Sequence, residues 1–222
     1  VVAGLAVLIW LLMTLGDDDE EVVIEKSIEA PEVLVPDLAV LPDVGFTDVA
    51  SSSGVDFMHE SGARGQKLLP ETMGSGAAFL DYDNDGDQDL LLINGMPWPD
   101  DPSSNPPPTM VLYANDGTGQ FEDVTSQVGL DEAFYGTGVA VGDIDGDGRR
   151  DLFIGAVGPD RLYRNTPDGF VDITSSAGVS GGQGEWTSSP AMLDYDRDGD
   201  LDIFAPTYVQ WSALKDRALN FT

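Results

Sequence analysis

Asp81-Tyr-Asp-Asn-Asp-Gly-Asp-Gln-Asp89, Asp143-Ile-Asp-Gly-Asp-Gly-Arg-Arg-Asp151 and Asp194-Tyr-Asp-Arg-Asp-Gly-Asp-Leu-Asp202 decide how this chain is read. All three fit D-x-D-x-D-G-x-x-D, and together they hold 14 of the 40 acidic residues in 27 positions. A solvated surface does not require carboxylates at alternating places with glycine always sixth. A hard cation does. Ca²⁺ takes six to eight oxygens at about 2.3–2.6 Å, and alternation turns the first, third and fifth side chains into one concavity. Gly86, Gly148 and Gly199 allow the sharp turn. The candidate ligands are Asp81, Asp83, Asp85, Asp87 and Asp89; Asp143, Asp145, Asp147, Arg149 and Asp151; and Asp194, Asp196, Asp198, Asp200 and Asp202. The seventh residue is expected to ligate through its backbone carbonyl, which is why Arg149 is compatible there. The ninth closes the site as a strand begins. An EF-hand shares the first half of the pattern but needs a twelfth-place Glu and flanking helices. Leu92, Ile154 and Ala205 stand in that place, within strand-like segments. Mg²⁺ fits less well, because it keeps its waters. The expectation is about three Ca²⁺ ions.

Working outward, the loops belong to a repeat. F-x-D-[VI] occurs at Phe46-Thr-Asp-Val49, Phe121-Glu-Asp-Val124 and Phe170-Val-Asp-Ile173, each followed by a Gly-[VL] pair. L-Y-x-N occurs at Leu112-Tyr-Ala-Asn115 and Leu162-Tyr-Arg-Asn165. The first Asp of successive loops is 62 and then 51 residues apart, and the excess lies in the proline-rich stretch 94–109, read as an inserted surface loop. The remaining segments are short, β-branched or aromatic, and bounded by Gly and Asp. Four short strands per ~50 residues suggest propeller blades. The small residues at Gly76-Ala-Ala78, Gly138-Val-Ala140 and Ala191 suit innermost strands crowded around an axis. The fold class expected is all-β, a partial β-propeller of about three four-stranded blades with an N-terminal transmembrane helix.

Composition removes other classes. The 222 residues carry 40 Asp+Glu against 10 Lys+Arg, a formal net charge of −30, with one His and no Cys. Such a polyanion has no basic patch for nucleic acid. Without Cys there is no disulfide scaffold, thiol nucleophile or zinc-thiolate site. Hydrophobic residues at 41% suffice for a core. Three bound ions bring the charge from −30 to about −24, which suits an extracytoplasmic surface.

Three segments are expected: 1–16 as a membrane anchor helix or uncleaved signal, 17–45 as an acidic, proline-containing tether, and 46–222 as the blades. Residues 1–15 are uncharged and apolar, too short alone for a span of about 20 residues, and an acidic run at 17–21 follows. A cleaved signal peptide and a buried core helix are the competing readings. The expected location is membrane-anchored, facing the periplasm or cell exterior.

The loops, with the L-Y-x-N and F-x-D-V-T elements, resemble FG-GAP/VCBS repeats of the integrin-α-like propeller type. Within these the chain is most similar to the ASPIC/UnbV, cartilage-acidic-protein-like, group, through Phe46-Thr-Asp-Val-Ala50, Gly54-Val-Asp-Phe57-Met-His59, Leu69-Pro-Glu-Thr-Met-Gly-Ser-Gly76 and Thr207-Tyr-Val-Gln-Trp211. The resemblance covers about 45–211. It implies a seven-bladed propeller with Ca²⁺ in blade loops, a role in adhesion or assembly, and no known enzymatic activity. Seven blades need well over 300 residues, and three loops are present. The arc is therefore expected to have open strand edges, covered either by further blades of a longer chain or by a protein partner.

The other candidates read as structural. His59 has no base–nucleophile companion, Ser51–Ser53 and Ser188-Ser189 look like turn residues, and Glu71 and Glu185 have no assignable role. Trp98 is either a contact residue or packs on a blade. The expected function is a calcium-binding, non-enzymatic module for protein–protein binding, adhesion or assembly. An accessory subunit of a membrane complex, and an enzyme completed by missing sequence, are the alternatives.

Overall fold

A computed structural model describes residues 45–99, 101 and 107–218. The expected anchor 1–16 and nearly all of the tether 17–45 lie outside the described residues. Among the described residues no helix is long and apolar enough to cross a membrane.

The repeat builds antiparallel sheets. β1 (Ala77–Leu80), β2 (Asp89–Leu92), β3 (Val111–Asn115) and β4 (Phe121–Asp123) form one sheet in sequence order. β5 (Gly136–Gly142), β6 (Asp151–Ala156), β7 (Arg161–Thr166) and β8 (Gly169–Asp172) form a second of the same order. Of the third unit the described residues show the inner hairpin. β9 (Glu185–Thr187) pairs with β12 (Thr207–Gln210), and β10 (Ala191–Leu193) pairs with β11 (Asp202–Phe204), so it is one long hairpin broken in two. Pro190 and Pro206 lie at the break, where a residue without an N–H interrupts a ladder. After β12 the chain enters a one-turn helix, Ala213–Arg217. The arrangement is consistent with a partial propeller of two complete units and one inner hairpin.

The acidic loops join β1 to β2, β5 to β6 and β10 to β11, so all three lie at one end of the sheets. The units pack face to face. Leu91 and Leu112 meet Leu152, Ile154 and Tyr163 between the first and second units. Ala140, Phe153 and Leu162 meet Met192 and Ile203 between the second and third. Alternate residues of β6 thus serve opposite neighbours, and the whole strand is buried. Each large side chain so buried contributes about 1.5–3 kcal/mol.

At the opposite end of the sheets, Trp98 stacks on Tyr135 with ring centroids 4.7 Å apart and leans on Trp211 at 4.8 Å. Of the two readings of Trp98, packing holds: it is 6% exposed, and its Nε1 donates to Glu71 at 2.9 Å. Glu71 therefore has a structural role, as does Glu185, which accepts the Gly182 N–H at 2.7 Å. His59 bonds to the Ser75 hydroxyl at 2.9 Å.

The innermost strands β1, β5 and β10 adjoin one another, and their small residues are required by that crowding. A Cβ on Gly76 would stand 3.0 Å from the Gly138 Cα, and one on Gly138 would strike the Ser188 carbonyl and the Pro190 ring. Gly138→Ala is expected to cost about 1–3 kcal/mol, read as a lower urea midpoint with unchanged slope.

Glu132 accepts from Arg161 Nε at 3.0 Å and Nη2 at 2.7 Å, and from the Tyr163 hydroxyl at 3.0 Å. The guanidinium holds its carboxyl below the usual glutamate range, against the opposing effect of burial. A lowered folded value means stability that is present above the ordinary glutamate pKa and lost as pH falls through the folded one. The carboxylate is 44% exposed, so the contribution is about 0.5 kcal/mol. Glu132→Gln is expected to remove that slope from the stability curve below about pH 4.5, measured by urea titrations at stepped pH.

Candidate metal centres

Each acidic loop is a chain of turns in which carboxylates bond backbone N–H groups further along. Asp81, Asp143 and Asp194, first in their loops, accept the N–H of the sixth-place glycine at 3.1, 2.8 and 3.2 Å. Asp85, Asp147 and Asp198 accept the N–H of the seventh residue at 2.8, 2.8 and 2.9 Å. The sixth-place glycines have φ of 96, 88 and 100°, as the turn requires.

A second left-handed position escaped the sequence reading. The fourth residues, Asn84, Gly146 and Arg197, have φ of 63, 73 and 66°. Asn and Gly adopt this region readily, whereas an Arg pays about 1–2 kcal/mol for it. The signal was present as Asn and Gly in two of the three loops, but Arg197 obscured it.

The folded loops bring carboxylate oxygens to within 4.8 Å of one another in three groups: Asp81, Asp83 and Asp85; Asp143, Asp145 and Asp151; and Asp194, Asp196 and Asp202. The first and third aspartates converge in every loop, joined by the fifth or the ninth. Asp87, Asp89, Asp147, Asp198 and Asp200 lie outside these groups, and the Arg149 N–H donates to Asp147 within the turn. Asp81 Oδ1 is shielded from solvent and has no hydrogen-bond partner among the described residues. A lone pair left in that state is costly without a ligand. Arg164 Nη1 lies 4.0 Å from Asp145 Oδ2, a partial counter-charge for the second group.

The ninth aspartates have a further task. Asp89 accepts the N–H of Tyr82 at 2.9 Å on Oδ2 and that of Asn115 at 2.9 Å on Oδ1. Asp151 accepts Ile144 N–H at 2.8 Å and Asn165 N–H at 2.7 Å in the same way. Each therefore clamps its loop to the L-Y-x-N strand. Burial pushes both carboxyls up, the backbone donors pull them down, and nearby aspartates add repulsion. The L-Y-x-N asparagines were recognised as a motif without a role. Asn165 Nδ2 donates to the Tyr82 carbonyl of the preceding unit at 2.6 Å, tying one acidic loop to the next sheet.

A family model for FG-GAP-like repeats matches residues 81–154 and, one unit on, 143–205. The chain belongs to the FG-GAP-like repeat family. Each match runs from the start of one acidic loop through the next, so it begins after the innermost strand of one sheet and ends in the following unit. Cartilage acidic protein 1 of Xenopus tropicalis is 38% identical over 96 residues, 40% of this chain and 14% of that protein. The Homo sapiens protein of the same name is 36% identical over 92 residues, 40% of this chain and 13% of its own length. The Mus musculus protein is 35% identical over 92 residues, with 40% and 14% covered. The aligned part of this FG-GAP-like chain thus spans about a seventh of these relatives.

Arg197→Asn relieves the unfavourable fourth position of the third loop. It is expected to raise stability by about 1 kcal/mol, seen as a higher urea midpoint in chelator, while Asn84→Ala lowers it.

Proposed function

We propose that this chain is a calcium-binding, membrane-anchored, extracytoplasmic FG-GAP-like module that serves protein–protein binding, adhesion or assembly. The carrying observation is that three loops each converge three carboxylates within 4.8 Å, one of them with a buried oxygen that nothing bonds. The donor set is all carboxylate, the hard-oxygen chemistry that Ca²⁺ prefers. Asp81, Asp83 and Asp85 would hold one ion; Asp143, Asp145 and Asp151 the second; Asp194, Asp196 and Asp202 the third. The other aspartates of each loop and the seventh-place carbonyls would complete the shells. Bound ions would remove the mutual repulsion of the carboxylates and stiffen the ends of the inner hairpins.

The apolar stretch 1–16 followed by acidic residues supports anchoring with the acidic body on the outer side. The membership in a repeat family and the likeness to cartilage acidic protein 1 support a binding or structural role over catalysis.

Calcium titration of chelated protein is expected to show three sites. Each, filled at a hundred times its Kd, adds about 2.7 kcal/mol, about 5–11 °C in Tm for a domain of this size. Asp143→Asn is expected to reduce the stoichiometry to two. A melting temperature indifferent to EGTA, with no calorimetric uptake, would overturn the metal assignment.

A further inference from the structure

We propose that the aromatic cleft at the end of the sheets opposite the acidic loops binds a small organic cation, an alkylated ammonium. The site goes beyond the binding role proposed above and does not depend on which ion the loops hold.

The cleft has a volume of about 420 Å³, within the range of small-molecule sites. Three units wall it: Met96 and Trp98 in the first, Phe134, Tyr135 and Val157 in the second, and Trp211 in the third. The walls are bonded to one another. Val157 N–H donates to the Tyr135 carbonyl at 2.9 Å, Gly158 N–H to the Glu185 carbonyl at 2.8 Å and Trp211 N–H to the Gly184 carbonyl at 2.7 Å. The cleft is therefore built where units pack on each other and is not a bare sheet face.

The rings are held by their polar edges. Trp98 Nε1 donates to Glu71 at 2.9 Å, Trp211 Nε1 to Asp216 at 2.8 Å and the Tyr135 hydroxyl to the Ser61 carbonyl at 2.8 Å. The two carboxylates are fixed in turn by the Leu68 and Leu69 N–H groups, at 3.1 and 2.6 Å. With these donors satisfied, the rings offer a ligand their π surface. An aromatic face is negative, and an indole N–H bonded to a carboxylate is polarised in the direction that makes it more so.

Charge selects the ligand. Apart from those ring groups, the polar side chains of the lining are Gln183 and Ser212, and among the described residues no charged side chain lines it. Glu71 and Asp216 stand directly behind the indoles. Burial, then the charges of Glu71 and Glu60, push the Tyr135 phenol up, as a field hostile to anions does. Phe134 already carries a cation: the Arg161 guanidinium lies 5.0 Å from its ring centroid, with its charge met by Glu132 at 2.7 Å. Cations are drawn to aromatic faces, more strongly where water is excluded. An alkylated ammonium suits both halves of the site, since it brings charge to the rings and apolar surface to Met96 and Val157. A carboxylate or phosphate would find no basic side chain in the lining.

The test titrates choline into the full chain in mild detergent at millimolar Ca²⁺, by calorimetry. The comparison is choline's neutral isostere, in which a quaternary carbon replaces the nitrogen. Choline is expected to saturate, and the isostere to bind about tenfold more weakly. Phe134→Leu and Trp211→Leu keep apolar bulk but each removes a π face, and circular dichroism checks that both are folded. Each is expected to weaken choline about fivefold or more and to leave the isostere nearly unchanged, a split that partial unfolding does not produce. No choline binding, equal binding of the isostere, or choline binding untouched by both substitutions would each overturn the inference. So would displacement of choline by more Ca²⁺, which would place it on the acidic loops. If calcium uptake persists in the same sample, only the cleft assignment falls.

Discussion

A buried carboxylate at the end of each acidic loop holds the unit together. Asp89 and Asp151 are almost fully enclosed, at 1% and 0% exposed, and each spends its lone pairs on two backbone donors from different parts of the repeat. One donor fixes the loop, and the other fixes the third strand. Burying such a charge is unfavourable unless it is fully hydrogen-bonded. The same residue must therefore end the loop, start the second strand and seat the third. This is why the loop motif and the L-Y-x-N motif keep the same relation in the two complete units although the intervening chain varies through the insertion in the first.

The joints between units follow from that arrangement. With the inner hairpin fixed, alternate residues of β6 point to the units on either side, and the middle sheet becomes apolar on both faces. The glycines of β5 let the innermost backbones approach. The turn after β4 reaches forward, where Phe170 N–H bonds to the Val128 carbonyl at 2.7 Å. Asn165 reaches back to the first loop. The first unit is thus stapled to the second at its inner strands, its outer strand and its acidic end. Among the described residues the third unit shares only the inner part of this scheme.

Much of this was legible before folding. The loop motif, the spacing of 62 and 51 residues and the proline-rich excess identified the repeat, and they did so because metal-type turns and tight inner strands are local demands written in consecutive residues. The expected ligands were legible as a set but not as a selection. The fifth carboxylate joins the first and third in the first loop and the ninth joins them in the other two, although Asp89 and Asp151 make the same two backbone bonds. The left-handed fourth position was hidden by Arg197, a residue that tolerates the conformation only because the rest of the loop imposes it. The third four-stranded blade was expected from the loop alone. Among the described residues that unit shows its inner hairpin, split where Pro190 and Pro206 interrupt the ladder.

By itself, then, the sequence determined the all-β repeat, the places of three acidic turns and the small residues of the inner strands, since each is set by short-range sterics and by charge at fixed spacing. Tertiary structure alone decided that Asp89 and Asp151 are clamps, that Trp98 is buried against Tyr135 and Trp211, and that Asn165 bridges two units. Those outcomes depend on which surfaces meet across 50 or more residues of chain, where no local pattern constrains the contact.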